Sequence, residues 1–125
     1  MNILILDDNE SLATALKGIL QGNGHHADST TTATRALAMI REKPYDLILL
    51  DYKMPTNDGI WFMSQASIPR STKVLLMTAY VHRNVINTMF KLGACGYMMK
   101  PFDEEELLRN LDFFLPDHTH APAAA

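Results

Sequence analysis

The sequence predicts an α/β protein: a doubly wound, five-stranded parallel sheet with helices on both faces. Short apolar runs alternate five times with amphipathic segments, and such alternation is typical of parallel sheets. Residues 47–50 are apolar at every position, as expected of a strand that helices cover on both sides. Four of the five predicted strands end in residues suited to phosphate or metal chemistry, and the carboxyl ends of parallel strands share one edge.

The apolar runs place the strands. We predict them at residues 2–6, 25–29, 47–51, 73–78 and 96–99. The second run has little apolar content, so we expect it at an edge of the sheet. The third and fourth runs are the least polar, and we expect them near its centre.

Helical periodicity places the intervening elements. We predict helices at residues 10–21, 60–66, 83–92 and 103–115, and a further helix that is capped by Thr31 or Thr32 and ends at Glu42. Leu12, Leu16 and Leu20 recur at the spacing of a buried helix face. Gly93 is a natural end for the fourth helix, and Asp103 with the three following glutamates is a typical helix start. One domain therefore spans residues 1–115, and we predict a disordered tail or the start of a linker at 116–125.

Composition excludes several classes of protein. The formal net charge is -3 and the basic residues are scattered, so we expect no direct contact with nucleic acid. One cysteine cannot form an internal disulfide, which favours a reducing compartment. The apolar run near the N-terminus is too short for a signal peptide or a membrane span. We therefore expect a cytoplasmic protein without membrane contact.

The residues at the predicted strand ends form one constellation. They are Asp7, Asp8, Asp51, Thr78 and Lys100. Three carboxylates in one pocket repel one another unless a cation lies between them, and their hard oxygens suit Mg²⁺. An acid flanked by a divalent cation and an ammonium group stays ionised and nucleophilic. The pattern indicates a carboxylate that accepts a phosphoryl group.

Two other functions are less consistent with the pattern. An Mg²⁺-dependent phosphatase with an aspartyl nucleophile favours two acids separated by one residue and needs a cap over its site. Here Asp7 and Asp8 are adjacent, and no insertion is long enough for a cap. A flavin-binding domain of similar topology needs a loop rich in Ser, Thr and Gly after the first strand. The acidic residues at 7–10 would repel its phosphate.

With these motifs in order, the chain resembles the receiver domain of bacterial response regulators in two-component signalling. The matching motifs are Asp7-Asp8, Asp51 with Met54-Pro55 and Asp58-Gly59, Thr78-Ala79, and Lys100-Pro101-Phe102. The resemblance runs from residue 2 to residue 115. It implies the flavodoxin-like or CheY-like topology with strand order 2-1-3-4-5, and a cis bond before Pro101 that aims Lys100 inward.

The resemblance also implies the roles of the site. Asp51 would accept a phosphoryl group from a phosphohistidine of a sensor histidine kinase or a histidine phosphotransfer protein. Asp8, Asp51 and the backbone carbonyl of Lys53 would hold Mg²⁺, with Asp7 acting partly through water. Lys100 would pair with the phosphoryl group. The domain would catalyse only its own phosphorylation and dephosphorylation, so we do not classify it as an enzyme.

The remaining implications concern switching. Thr78 would swing toward the phosphoryl group and Tyr97 would move from exposed to buried. The face made by the fourth helix, fifth strand and fifth helix would then change its preference for an output domain, a downstream protein or a second copy of the chain. The fourth helix has more apolar residues than one buried stripe needs, namely Val81, Val85, Ile86, Met89 and Phe90. We predict that Val85 and Met89 in particular join Tyr97 in this partner face.

Two positions tune the lifetime of the phosphoryl group in proteins of this kind. Lys53 and Tyr80 each lie two residues beyond a motif residue, Asp51 and Thr78 respectively. A long cation and an aromatic ring there would shield the site from water, so we expect slow self-dephosphorylation. The output remains open: the chain is a stand-alone receiver or the N-terminal part of a longer regulator such as a transcriptional regulator.

Overall fold

The computed structural model describes residues 1–54, 56–79 and 82–114. Its elements are β1 (Asn2–Leu6), α1 (Glu10–Gly22), β2 (His26–Thr30), α2 (Ala33–Glu42), β3 (Leu47–Asp51), α3 (Gly59–Gln65), β4 (Lys73–Thr78), α4 (Arg83–Lys91), β5 (Gly96–Met99) and α5 (Glu104–Phe114). The predictions for Tyr80, Leu115 and the tail at 116–125 lie outside the described residues.

The five strands form one parallel sheet in the order β2-β1-β3-β4-β5. β3 lies at the centre and all five of its residues are buried, which explains why this strand is apolar on both faces. β2 lies at an edge, as its low apolar content predicts. The structure confirms the doubly wound fold and the strand order.

Side chains alternate along the strands and divide the core into two layers. Ile48, Leu50 and Leu76 face one layer, which also receives α2, α3 and α4. Leu47, Leu49 and Leu75 face the other layer, which contains residues of α1 and α5. Because apolar layers cover both faces of the sheet, the polar side chains that could bind a ligand lie at the ends of the strands.

Local polar residues fix where helices begin. The side chains of Asn9, Thr32 and Asp58 accept backbone N–H groups at the starts of α1, α2 and α3. Asp103 accepts from the backbone of Glu106 at 2.8 Å and starts α5 as predicted. At the other end of a helix, Gly93 follows α4 with a φ of 118°, a conformation that favours glycine.

The second strand and third helix are each displaced by one residue from their predicted bounds. α3 begins and ends one residue earlier than predicted. β2 begins and ends one residue later than predicted because it pairs with β1 from Asn2–His26 to Leu6–Thr30. Pairing with a neighbour therefore sets the limits of β2, and its own composition does not.

In the described part of the chain, every helix is too short or too polar to cross a membrane.

Candidate functional site

Strand register brings the predicted site residues to one edge of the sheet. Leu6 is level with Leu50, so Asp7 follows β1 where Asp51 ends β3. Asp51 is level with Met77, and the next residue, Thr78, ends β4. The backbone N–H of Lys100 then donates to the carbonyl of Thr78 at 2.8 Å, which places the lysine at the same edge.

Lys100 joins two of the three acids. Its Nζ lies 2.7 Å from Asp7 Oδ2 and 3.4 Å from Asp51 Oδ1. The carboxylates of Asp7 and Asp51 are almost completely shielded from water, so these contacts are screened little by solvent. Burying two negative charges costs free energy, and the nearby ammonium group offsets part of this cost.

A second donor fixes the carboxylate of Asp7. Its Oδ1 accepts the backbone N–H of Asn9 at 2.9 Å, while Oδ2 accepts from Lys100. Asn9 also caps α1 through its side-chain oxygen, which accepts the N–H of Leu12 at 3.1 Å. The start of α1 therefore holds Asp7 in one orientation. Sequence reasoning missed this role, although a capping residue directly after two acids is a visible signal.

The electrostatics of Asp51 follow from this crowding. Burial, together with the smaller effect of the negative charge of Asp7, raises the pKa of its carboxyl to about 7. Lys100 opposes both effects by its positive charge and its hydrogen bond. Without a divalent cation, the site therefore disfavours the ionised form of Asp51.

The three acids are close enough to share a cation. One carboxylate oxygen each from Asp7, Asp8 and Asp51 lies within 4.8 Å of the others. Asp8 is exposed, whereas the other two are buried, so an ion would enter from the side of Asp8. Oxygen ligands of this kind fit Mg²⁺, which keeps several of its waters. The donor set therefore fits the predicted cofactor.

An open cavity of about 500 Å³ leads to these groups. Asp8, Asp51, Lys53 and Lys100 line it, as the sequence predicts. Asn9 and Ala79 also line it and were not predicted as site residues. Ala79 lies directly after the predicted hydroxyl residue, so its small side chain leaves access to the end of β4.

A family comparison agrees with this geometry. Residues 3–112 match the model of the response regulator receiver domain. The chain belongs to the response regulator receiver family. Transcriptional regulatory protein ZraR of Escherichia coli K12 is 34% identical over 122 residues, which are 97% of this chain and 27% of ZraR. The chain thus spans about a quarter of the length of the curated relatives it matches first.

Relatives of similar size also exist. Sporulation initiation phosphotransferase F of Bacillus subtilis is 31% identical over 115 residues, which are 91% of this chain and 93% of that protein. Among solved structures, a CheY-like receiver domain protein of Methanospirillum hungatei has a TM-score of 0.87 at 29% identity, covering 93% of this chain and 94% of its own. Chemotaxis protein CheY4 of Vibrio cholerae has a TM-score of 0.83 at 28% identity, covering 91% and 98%.

Two predicted residues of this receiver take different positions around the cavity. Lys53 is exposed at the cavity wall, where its side chain can reach incoming groups. Thr78 is only 1% exposed and lies behind the wall that Ala79 forms. A role of Thr78 in contacting a phosphoryl group therefore requires a movement, as the resemblance implies. Tyr80 lies outside the described residues.

The predicted partner face needs one correction. Met89 is completely buried against the core layer of α2, α3 and α4, so its prediction as an exposed partner residue is wrong. Val85 is half-buried against the same layer. Tyr97 is 41% exposed, and its ring lies 6.3 Å from that of Phe90. Phe90 of α4 is equally exposed, and the prediction chose Val85 and Met89 for the partner face instead of it.

The terminal methyl of Met89 lies beside the start of α3, which begins very close to the end of β3. A Cβ atom on Gly59 would lie 3.1 Å from the Cα of Tyr52, 3.3 Å from the carbonyl oxygen of Asp51 and 3.4 Å from the terminal methyl of Met89. The backbone N–H of Gly59 donates to the carbonyl of Tyr52 at 2.8 Å. Gly59 thus packs against the backbone that carries Asp51.

Proposed function

We propose that this receiver accepts a phosphoryl group on Asp51 from a phosphohistidine donor in an Mg²⁺-dependent step. The observation that carries the proposal is the placement of Lys100, which contacts Asp7 and Asp51 while the three carboxylates converge within 4.8 Å. Burying each acid lowers the stability of the fold, so this arrangement is poorly explained as a device for stability. It is well suited to stabilising the negative charge that a phosphoryl group adds.

The chemistry follows from the atoms present. A carboxylate oxygen of Asp51 attacks phosphorus, the new P–O bond forms an acyl phosphate, and the P–N bond to the donor imidazole breaks. The leaving imidazole takes a proton from solvent. Asp7, Asp8, Asp51 and the backbone carbonyl of Lys53 would hold a bound Mg²⁺. This ion would supply positive charge for the phosphoryl oxygens.

Lys100 supplies the second positive charge. Before phosphorylation, its ammonium group is shared between two acids. After phosphorylation, the phosphoryl oxygens provide acceptors near the former Asp51 contact, so Lys100 can hold them without leaving Asp7. Asp7 acts here as a positioning residue for Lys100, because the backbone of Asn9 holds its other oxygen.

The donor is a sensor histidine kinase or a histidine phosphotransfer protein, and the response is a change of partner. Thr78 moves toward the phosphoryl group and Tyr97 moves inward, which alters the surface of α4, β5 and α5. This surface binds an output domain, a downstream protein or a second copy of the chain. The domain has no catalytic role beyond its own phosphorylation and dephosphorylation.

The deciding experiment is intact mass measurement after incubation with a small-molecule phosphodonor and Mg²⁺. We expect the wild-type protein to gain one phosphoryl group and the Asp51→Asn variant to gain none. Asp46→Asn serves as the matched control, because Asp46 is a strand-adjacent acid that hydrogen-bonds the backbone of Asn2 at 2.8 Å, far from the site. A wild-type protein that binds Mg²⁺ without gaining mass would refute the proposal.

Lys53 should affect how long the phosphoryl group persists. We expect Lys53→Ala to hydrolyse several-fold faster than wild type, because the exposed Lys53 side chain at the cavity wall then no longer restricts water. The measurement is the decay of the phosphorylated mass after the donor is removed. Lys91→Ala removes an exposed lysine of α4 outside the cavity and should leave the rate unchanged. Equal rates for both variants would contradict the shielding role.

A further inference from the structure

A second cavity opens at the amino ends of the strands, where β4 and β5 begin. It has a volume of about 410 Å³ and lies between the end of α3, the loop before β4 and the turn after α4. Ligand cavities in proteins usually have volumes of about 300–1,000 Å³. The site at Asp51 lies at the carboxyl ends of the same strands, so the two cavities are separated by the length of the sheet.

The charged residues that line this cavity are all positive. Arg70 and Lys73 are both exposed along it, and none of the residues lining it is acidic. Within the described part of the chain, neither side chain forms an ion pair. Two cations without an acid partner line the same cavity although the whole chain has a net charge of -3. The cavity therefore favours a negatively charged group.

The remaining wall is largely apolar. Met63, Ala66, Ile68 and Leu92 contribute to it. A small inorganic anion would contact the cations and leave this wall exposed to water. A ligand with both a negative group and an apolar body would satisfy the two parts of the cavity together.

Backbone hydrogen bonds hold the cavity in shape. The N–H of Lys73 donates to the carbonyl of Asp46 at 3.0 Å, and the N–H of Thr72 donates to that of Pro69 at 3.0 Å. Across the cavity, the N–H of Cys95 donates to the carbonyl of Val74 at 2.8 Å. A site that is already ordered loses little entropy when a ligand binds.

We infer that this cavity binds a small organic anion with a compact apolar body, such as a medium-chain carboxylate. Arg70 and Lys73 hold the carboxylate, and the apolar body packs against the side chains of α3 and α4. The inference is independent of phosphoryl transfer, because no residue is shared between the two sites.

The test is a two-dimensional amide NMR titration of the full chain with hexanoate, 1-hexanol and inorganic phosphate. Hexanoate should give saturable shifts at Thr72, Lys73, Gly93 and Cys95. The neutral alcohol lacks the charge and phosphate lacks the apolar body, so both should give much smaller shifts at these amides. Equal shifts with the alcohol or with phosphate, or no saturable shifts with hexanoate, would overturn the inference.

Two variants separate a specific site from general charge attraction. Arg70→Gln with Lys73→Gln should abolish saturation by hexanoate. Lys17→Gln with Arg35→Gln removes the same charge outside the cavity and should preserve it. Persistence in the first double variant, or loss in the second, would contradict the assignment.

The thiol of Cys95 gives an independent measurement. It is half-buried in the cavity wall, and burial raises its pKa. Because the chain has one cysteine, alkylation by iodoacetamide reports on this cavity alone. Saturating hexanoate should slow alkylation several-fold in wild type and leave it unchanged in the Arg70→Gln, Lys73→Gln variant. An unprotected Cys95 in wild type would count against occupation of the cavity.

Discussion

At the scale of single residues, Asp7 and Asp8 have opposite environments although they are neighbours. Both oxygens of Asp7 accept hydrogen bonds, one from the backbone of Asn9 and one from Lys100. Asp8 is exposed at the cavity. Asp7 therefore positions the lysine, whereas Asp8 lies where an incoming cation can reach it.

Gly59 should be the glycine most sensitive to substitution near the site. Gly59→Ala places a methyl group against the backbone of Asp51 and Tyr52, which cannot easily shift, so we expect a loss of about 1–2 kcal/mol in the free energy of unfolding. Urea denaturation measures it.

Gly18→Ala is the matched control for this substitution. Gly18 lies inside α1 with open space around its Cβ position, so alanine should instead stabilise the protein by about 0.5–1 kcal/mol. Equal effects at Gly59 and Gly18 would show that contact with the end of β3 is not the cause.

Sequence reasoning misplaced Met89 and missed the role of Asn9 for two different physical reasons. Periodicity locates Met89 on α4, but it does not show that the buried methionine packs against the start of α3. Asp51 and Lys100 were predictable because parallel strands must end at one edge. The hydrogen bond from Asn9 to Asp7 depends on a backbone direction after β1, which side-chain patterns do not encode.

At the scale of elements, the edge strand β2 is fastened by side chains as well as by the sheet. Asp28 of β2 accepts from the hydroxyl of Tyr45 at 2.7 Å and from Lys43 at 3.0 Å. Both donors precede β3, so these bonds link the edge of the sheet to its centre. They compensate for the low apolar content of β2, which sequence patterns identified only as a weak strand.

Removing the tyrosine hydroxyl should weaken this link in a pH-dependent way. The hydrogen bond from Tyr45, with a smaller effect of Lys43, holds the pKa of Asp28 below its usual value. A carboxyl with a lowered pKa stabilises the fold above its unfolded pKa, and the contribution is lost as pH falls through the folded pKa. We expect Tyr45→Phe to cost about 1 kcal/mol at pH 7, and less below about pH 4.

Denaturation curves at several pH values measure the effect. Lys43→Gln is the comparison variant, because its ion pair with Asp28 is exposed and should contribute less. A Tyr45→Phe penalty that grows as the pH falls would contradict the assigned role of the hydroxyl.

At the scale of the whole molecule, the sheet separates stability from chemistry. Both faces are apolar and covered, whereas the carboxyl edge gathers buried charges that oppose folding. A cation bound at this edge should therefore stabilise the entire fold, since the unfolded chain cannot bring the three acids together.

Mg²⁺ should raise the melting temperature by mass action. At a hundredfold excess over its Kd the gain is about 2.7 kcal/mol, or about 10 °C for a domain of this size. Asp8→Asn should melt at or above the wild-type temperature in EDTA and respond little to Mg²⁺. Glu104→Gln removes an exposed acid of α5 and should keep the full response. A full response in Asp8→Asn would place the cation elsewhere.

The hydrogen bond from Lys100 to Asp7 joins residues 93 positions apart in the chain. During synthesis, the acids of the first strand emerge long before the lysine that completes their site. A nascent or truncated chain that ends before β5 therefore has acids without their fixed countercharge. Under the function proposed above, the site becomes complete only late in synthesis, after β5 has emerged.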